Sequence, residues 1–103
     1  MKKDKYLEKI TNVYSDCLAI VKDKSSDYAT EEDPFLNFKG VEAFNISTLE
    51  KGILTRISDK FIRVCNLIDK EETVMDEKIE DTIVDMINYL AILKVYMDDK
   101  KDN

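Results

Sequence analysis

Glu77-Lys78-Ile79-Glu80-Asp81-Thr82-Ile83-Val84-Asp85-Met86-Ile87-Asn88-Tyr89 is the stretch on which the fold turns. Wound as a helix, it stacks Glu77, Asp81, Asp85 and Asn88 on one narrow face, because residues three and four apart lie one above another. That face runs on into Ile92 and Val95, and Val84 and Ala91 lie beside the acids. The broad opposite side carries Ile79, Ile83, Met86, Ile87, Leu90, Leu93 and Met97. A helix apolar nearly all round except for a short carboxylate patch is expected to be buried in a bundle. Carboxylates placed there must be paired, protonated or bound to a cation.

Working outward, three more segments have helical periodicity. Tyr6, Leu7, Ile10, Val13, Tyr14, Cys17, Leu18 and Val21 place an amphipathic helix over about 4–22. Polar Lys24-Ser25-Ser26-Asp27-Tyr28 and then Glu31-Glu32-Asp33-Pro34 should break it, since proline and its predecessor disfavour helix. The loop that follows holds Tyr28, Phe35 and Phe38, aromatics that either plug a core gap or line a ligand site. A short helix is expected over Gly40–Asn45. Ser47-Thr48-Leu49-Glu50 has the form of a capping box, with Ser47 as cap, opening a helix to about Ile68. Its core face is Ile53, Leu54, Ile57, Phe61, Val64, Cys65 and Ile68, and Thr55, Arg56, Asp59, Arg63 and Asn66 crowd into a polar arc. Asp69–Glu72 is a connection short enough to make the last two helices antiparallel neighbours. Asp76 is the expected cap of the final helix, which should fray into a polar tail near Asp98.

The expected architecture is therefore all-α: one domain over 1–103, a compact bundle of three long helices, a short helix and an aromatic-containing loop. Composition agrees. The 103 residues are 44% hydrophobic and 37% charged, with two Gly and one Pro, too little turn material for a β-rich fold. No apolar run approaches the ~20 residues that span a bilayer, and the basic start leads into an amphipathic segment; a cytoplasmic protein is the expectation. A net charge of −6 excludes general binding to phosphate polymers but allows a small phosphorylated ligand at a locally basic site. The absence of His removes Ser-His and Cys-His chemistry and ordinary zinc sites, so any metal would be oxygen-bound Mg²⁺ or Mn²⁺. Cys17 and Cys65 fall on apolar faces and read as buried thiols.

If the last two helices pack antiparallel, Arg56, Lys60 and Arg63 approach Glu77, Asp81 and Asp85. Such a juxtaposition is either an internal ion-pair network (Arg63 with Asp81, Arg56 with Asp85, Asn66 with Asn88) or a ligand site. Burying several charges in a small core is costly without another purpose, which favours a ligand. Guanidinium and ammonium groups bind phosphate, Asn66 and Asn88 can read a base edge, and aromatics can stack on a base. Together these describe a nucleotide.

Four ordered blocks, Asp27-Tyr28-Ala29, Asp33–Lys39, Gly52–Leu67 and Asp76–Tyr89, resemble the nucleotide-modification-associated domain family, which is common in bacteriophages. That family is grouped with the all-α nucleoside triphosphate pyrophosphohydrolases, MazG and the dimeric dUTPases. The resemblance spans roughly 24–97. It implies a MazG-like helical bundle, dimeric or tetrameric, with a nucleotide site between helices. In the superfamily two acidic pairs hold Mg²⁺ and the α–β phosphate bond is hydrolysed. Asp81 and Asp85 match the second pair, at a spacing of four where three is usual. The first pair, Glu-x-x-Glu, has no counterpart: this helix offers Glu50 and Asp59 among Arg56, Lys60 and Arg63, which suits direct phosphate binding. The resulting ligand set is Lys24, Asp27, Tyr28, Phe35, Phe38, Arg56, Asp59, Lys60, Arg63, Asn66 and Asn88. Glu77, Asp81 and Asp85 are the metal and catalytic candidates should a Mg²⁺-dependent hydrolase be the function. The first expectation is a module that holds a phosphorylated nucleotide or nucleotide-derived signal, such as a phage protein sequestering a host defence signal. The alternative is a Mg²⁺-dependent nucleotide pyrophosphohydrolase. Three helices with broad apolar faces cannot cover one another fully, so a homo-oligomer is expected.

Overall fold

A computed structural model describes residues 1–28, 32–70 and 72–102, and the side chains of these apart from 26–28 and 72–78. Three long helices carry the chain: α1 (Lys3–Tyr28), α3 (Leu49–Ile68) and α4 (Glu72–Asp102). A 3-10 turn over Leu36–Phe38 and the four-residue α2 (Gly40–Ala43) lie between α1 and α3. The described residues contain no strand, and no helix among them is long and apolar enough to cross a membrane.

The scaffold is the hairpin of α3 and α4. Lys60 meets Asp85 at 2.9 Å and Lys100 meets Glu50 at 2.9 Å, so the start of one helix lies against the end of the other. Leu49 and Ile53 are the only large side chains fully buried among the described residues, both at 0% exposure, and both lie in the first turns of α3. Here the nucleus of the core lies. α1 runs antiparallel to α4: Asn88 donates to the Cys17 carbonyl at 3.1 Å, and Lys24 reaches Asp85 at 3.2 Å.

Several expected boundaries move. α1 continues through Ser25 to Tyr28, because serine and aspartate only weakly disfavour helix and Lys24 is tied to α4. The cap of α3 is Thr48, not Ser47: its hydroxyl accepts from the Lys51 amide at 3.2 Å, while the Ser47 hydroxyl donates to the Thr48 carbonyl. One residue of register decides this, since a cap must reach the third amide of its helix. α4 begins at Glu72, ahead of Asp76, and runs past Asp98 to Asp102. The Lys94–Asp98 and Lys100–Glu50 pairs hold those last turns, and Lys100 and Lys101 suit the negative end of the helix dipole.

The burial pattern of α4 reverses one expectation. Among its described side chains Thr82 and Asn88 are the buried ones, whereas Ile83, Leu90 and Met97 are exposed. Asn88 and Asp85 therefore turn towards α1 while Asp81 stays exposed, and part of the broad apolar side faces out. On α3, likewise, Leu54, Phe61 and Ile68 are exposed, and Cys65 is an exposed thiol where a buried one was expected. Cys17 is buried as expected.

Gly52 marks a close approach of α3 to α2. A Cβ there would lie 2.8 Å from Cγ2 of Val41 on α2, and the short branched valine cannot swing aside. Alanine normally stabilises a helix interior by ~1 kcal/mol over glycine, but overpacking costs ~1–3 kcal/mol. Gly52→Ala is therefore expected to lower the melting temperature, whereas Gly40→Ala, with no atom within 4 Å, should not. A thermal scan of the two variants checks the pair.

Candidate functional site

Between α1, α4 and the segment carrying the 3-10 turn lies a groove of about 690 Å³. Its size is that of a small-molecule site. Tyr14, Leu18 and Val21 of α1 form one wall, and Ala91, Ile92 and Val95 of α4 the other. Phe35 and Phe38 supply the third side, with Lys24, Arg56, Asp85 and Asn88 as its polar groups.

Local chemistry sets the aromatics. An Asp33 carboxylate oxygen accepts from the Phe35 amide at 3.0 Å, an Asx turn that Pro34 suits, and the other oxygen takes Lys39 at 2.7 Å. The Lys39 hydrogen bond, helped by the Phe35 amide, holds the Asp33 carboxyl below its ordinary range. So fixed, Phe35 packs edge-on to Tyr96 (5.1 Å) and Phe38 edge-on to Tyr89 (6.3 Å). The aromatic loop thus does both of the things open to it: it packs on α4 and lines the groove.

The Arg56 guanidinium lies over Phe38, 4.7 Å from the ring centre, with the Tyr89 ring 5.9 Å away. One guanidinium nitrogen donates to the Asn37 carbonyl at 3.4 Å. No carboxylate among the described residues pairs with it, so its charge faces the groove uncompensated. Asp85 is different: one oxygen takes Lys24 at 3.2 Å and the other Lys60 at 2.9 Å. Two lysines thus share one carboxylate, and Arg56 lines the same groove beside them, in a chain whose net charge is −6 as a whole.

Partial burial pushes the Asp85 carboxyl up, but hydrogen bonds from Lys60 and Lys24, with their charges, outweigh it and leave the pKa below the ordinary 3.8. A depressed carboxyl stabilises the fold above its unfolded-state pKa and loses that contribution as pH falls through the folded value. Acid unfolding below about pH 4 should therefore be partly driven by Asp85. Asp85→Asn is expected to flatten stability against pH in that range, which denaturant titrations at stepped pH would measure. Burial, and then the Asp16 charge, raise the Cys17 thiol, so it is a neutral wall of the groove rather than a nucleophile.

Of the ligand set read from the sequence, Lys24, Phe35, Phe38, Arg56 and Asn88 line the groove, and Lys60 reaches it through Asp85. Asp59, Arg63, Asn66 and Asp81 are exposed and outside its wall. The side chains of Asp27, Tyr28 and Glu77 lie outside the described residues. The anticipated ion pairs are replaced: Asp85 takes two lysines instead of Arg56, and Asn88 binds the α1 backbone instead of Asn66. Tyr14 and Tyr89 also line the groove, and sequence reasoning missed them. Tyr89 was legible, since it closes the stretch that organises the chain; Tyr14 carries no local signal that separates it from core.

The described residues do not fit a metal cluster. No three His, Cys, Asp or Glu side chains among them come together, and both Asp85 oxygens are taken by ammonium groups. What the arrangement can do is hold an anion by Arg56 and the two lysines while the apolar walls shelter a larger body. Comparison of the chain with protein-family models, with curated proteins and with solved structures finds no match.

Proposed function

We propose that this chain is a self-associating, MazG-like helical protein that binds a phosphorylated nucleotide or nucleotide-derived signalling molecule in the groove between α1 and α4. One observation carries the reading: a groove walled largely by apolar and aromatic groups is also lined by Arg56 and by Lys24, the latter paired with Asp85, which Lys60 meets as well. Phosphate oxygens suit the cationic end, since guanidinium and ammonium groups form charge-assisted hydrogen bonds to them. A base and sugar suit the walls, where Phe35 offers a ring and Asn88 a polar edge. The four sequence blocks that resemble the nucleotide-modification-associated family support the same ligand class. A phage protein that takes a host defence signal out of circulation is a role of this kind.

Holding rather than hydrolysing is favoured because Asp85 neutralises lysines instead of standing free to bind Mg²⁺ or activate water. The test is incubation with a nucleotide pool, with and without Mg²⁺, followed by separation of products. Intact nucleotide recovered on denaturing the protein is the expected outcome. Release of pyrophosphate or monophosphate beyond one equivalent would replace binding by hydrolysis, with Glu77, Asp81 and Asp85 as the residues to examine.

A further inference from the structure

The side-chain amide of Asn88 is fixed in orientation, and only its nitrogen is engaged. Asn88 is 8% exposed on α4 and lines the groove between α1 and α4. Its nitrogen donates to the Cys17 carbonyl at 3.1 Å. A carbonyl can only accept, so the nitrogen must lie towards α1 and the amide oxygen away from that contact. The oxygen has no hydrogen-bond partner among the described residues. It is not sealed off either, since Oε1 of Glu50 is the only buried, unpaired side-chain polar atom among them. Asn88 thus offers a bare acceptor to the groove. Cys17, Leu18, Ala91 and Ile92 on the same walls are apolar, and an acceptor among such groups is satisfied only by a donor that enters with the ligand. Tyr14 and Leu18 are 64% and 53% exposed, so they form the rim of the groove and Asn88 its floor.

Granted a nucleotide in the groove, as proposed above, we infer that Asn88 selects its base, accepting from an exocyclic amine and so favouring adenine and cytosine over bases with a carbonyl in that place. An acceptor on the floor of a groove is reached by what projects from a flat ring, ahead of the ring's own N–H. Adenine and cytosine project an amine, whereas hypoxanthine and uracil project a carbonyl oxygen at the same position. The amine meets the Asn88 oxygen as a donor. A carbonyl would set two acceptors against each other, with water displaced from both and neither satisfied. Sites that hold a ligand by a hydrogen bond discriminate on this ground, because the wrong partner leaves buried polar groups unpaired. The placement of the cations agrees. Asp85, which takes Lys24, stands three residues from Asn88, about 4.5 Å along α4. Arg56 lies 5.9 Å from the ring of Tyr89, the next residue. A base over Asn88 therefore leaves its phosphates within reach of both cations.

Calorimetric titration with two pairs of triphosphates tests this: ATP against inosine triphosphate, and CTP against UTP. Within each pair the amine gives way to a carbonyl while sugar and phosphates stay the same. The wild type should bind ATP about tenfold or more tightly than inosine triphosphate, and CTP more tightly than UTP by a similar factor. In Asn88→Leu, a change of similar size, both ratios should fall towards one. The Cys17 carbonyl keeps its helical partner in that variant, because α1 runs on through Val21. If Asn88 were only structural, its replacement would weaken both members of a pair alike and leave their ratio unchanged. Equal wild-type affinities within a pair that binds, tighter binding of the carbonyl-bearing member, or a ratio that survives Asn88→Leu would each overturn the selection. If Asn88→Leu loses its helical circular dichroism, the wild-type ratios decide. Equal binding of all four triphosphates would leave the nucleotide site standing and remove only the choice of base, whereas binding of none would remove both.

Discussion

Arg56→Ala is expected to lower affinity for a phosphorylated nucleotide about a hundredfold, with the helical fold intact. A hydrogen bond to a charged partner contributes ~1.5–3 kcal/mol net, and a planar guanidinium can make two at once. Arg56 supplies these from a geometry already set, since Phe38 lies beneath it at 4.7 Å and the Asn37 carbonyl fixes one of its nitrogens. Little rotational freedom remains to be lost on binding. Arg56→Lys should recover only part of the loss, because an ammonium keeps the charge without the flat fork or the stacking. Arg63→Ala, exposed and clear of the groove wall, is expected to change affinity less than threefold on the same grounds. Calorimetric titration of the three variants with one nucleoside triphosphate reads all of these. Equal losses at Arg56 and Arg63 would shift the site along α3, away from the groove.

The second large effect is on stability. Ile53→Ala is expected to destabilise the fold by ~3 kcal/mol, within the ~2–5 kcal/mol range for deleting a buried aliphatic side chain. For a domain of this size that corresponds to a fall of roughly 15 °C in melting temperature. Ile53 is 0% exposed and shares the nucleus of the core with Leu49, which nothing nearby can replace. Leu54→Ala, one residue along, makes an informative contrast. In a single chain Leu54 is half exposed, and its truncation should cost less than ~1 kcal/mol. A cost near that of Ile53→Ala would mean that Leu54 is covered in solution.

What could be read from the sequence depended on the kind of signal. Helices whose apolar residues recur over many turns were legible: α1 and α3 lie where periodicity placed them, and α3 ends at Ile68 as expected. Their ends were not, since a cap depends on one hydroxyl reaching one amide, and Ser47 and Thr48 compete for that role with almost equal chemistry. The contact between Lys60 and the Asp81–Asp85 face was foreseeable from antiparallel packing, and the Lys60–Asp85 pair follows from it. Which cation would remain unpaired was not. It depends on how far α1 reaches, because Lys24 arrives at Asp85 from sixty-one residues away and takes the carboxylate expected to pair with Arg56. Periodicity also cannot tell which of two apolar sides of α4 meets α1. Asn88 decides it, since an amide buried against the Cys17 carbonyl needs that partner, and Leu90 and Ile83 then turn away.

Mass spectrometry of the small molecules released when the purified protein is denatured, after incubation with a nucleotide pool, tests the central claim most directly. About one intact phosphorylated nucleoside per chain is expected from the wild type, and little or none from Arg56→Ala prepared alongside. Release of no phosphorylated compound from the wild type, or equal release from the two proteins, would contradict a phosphate seat at Arg56.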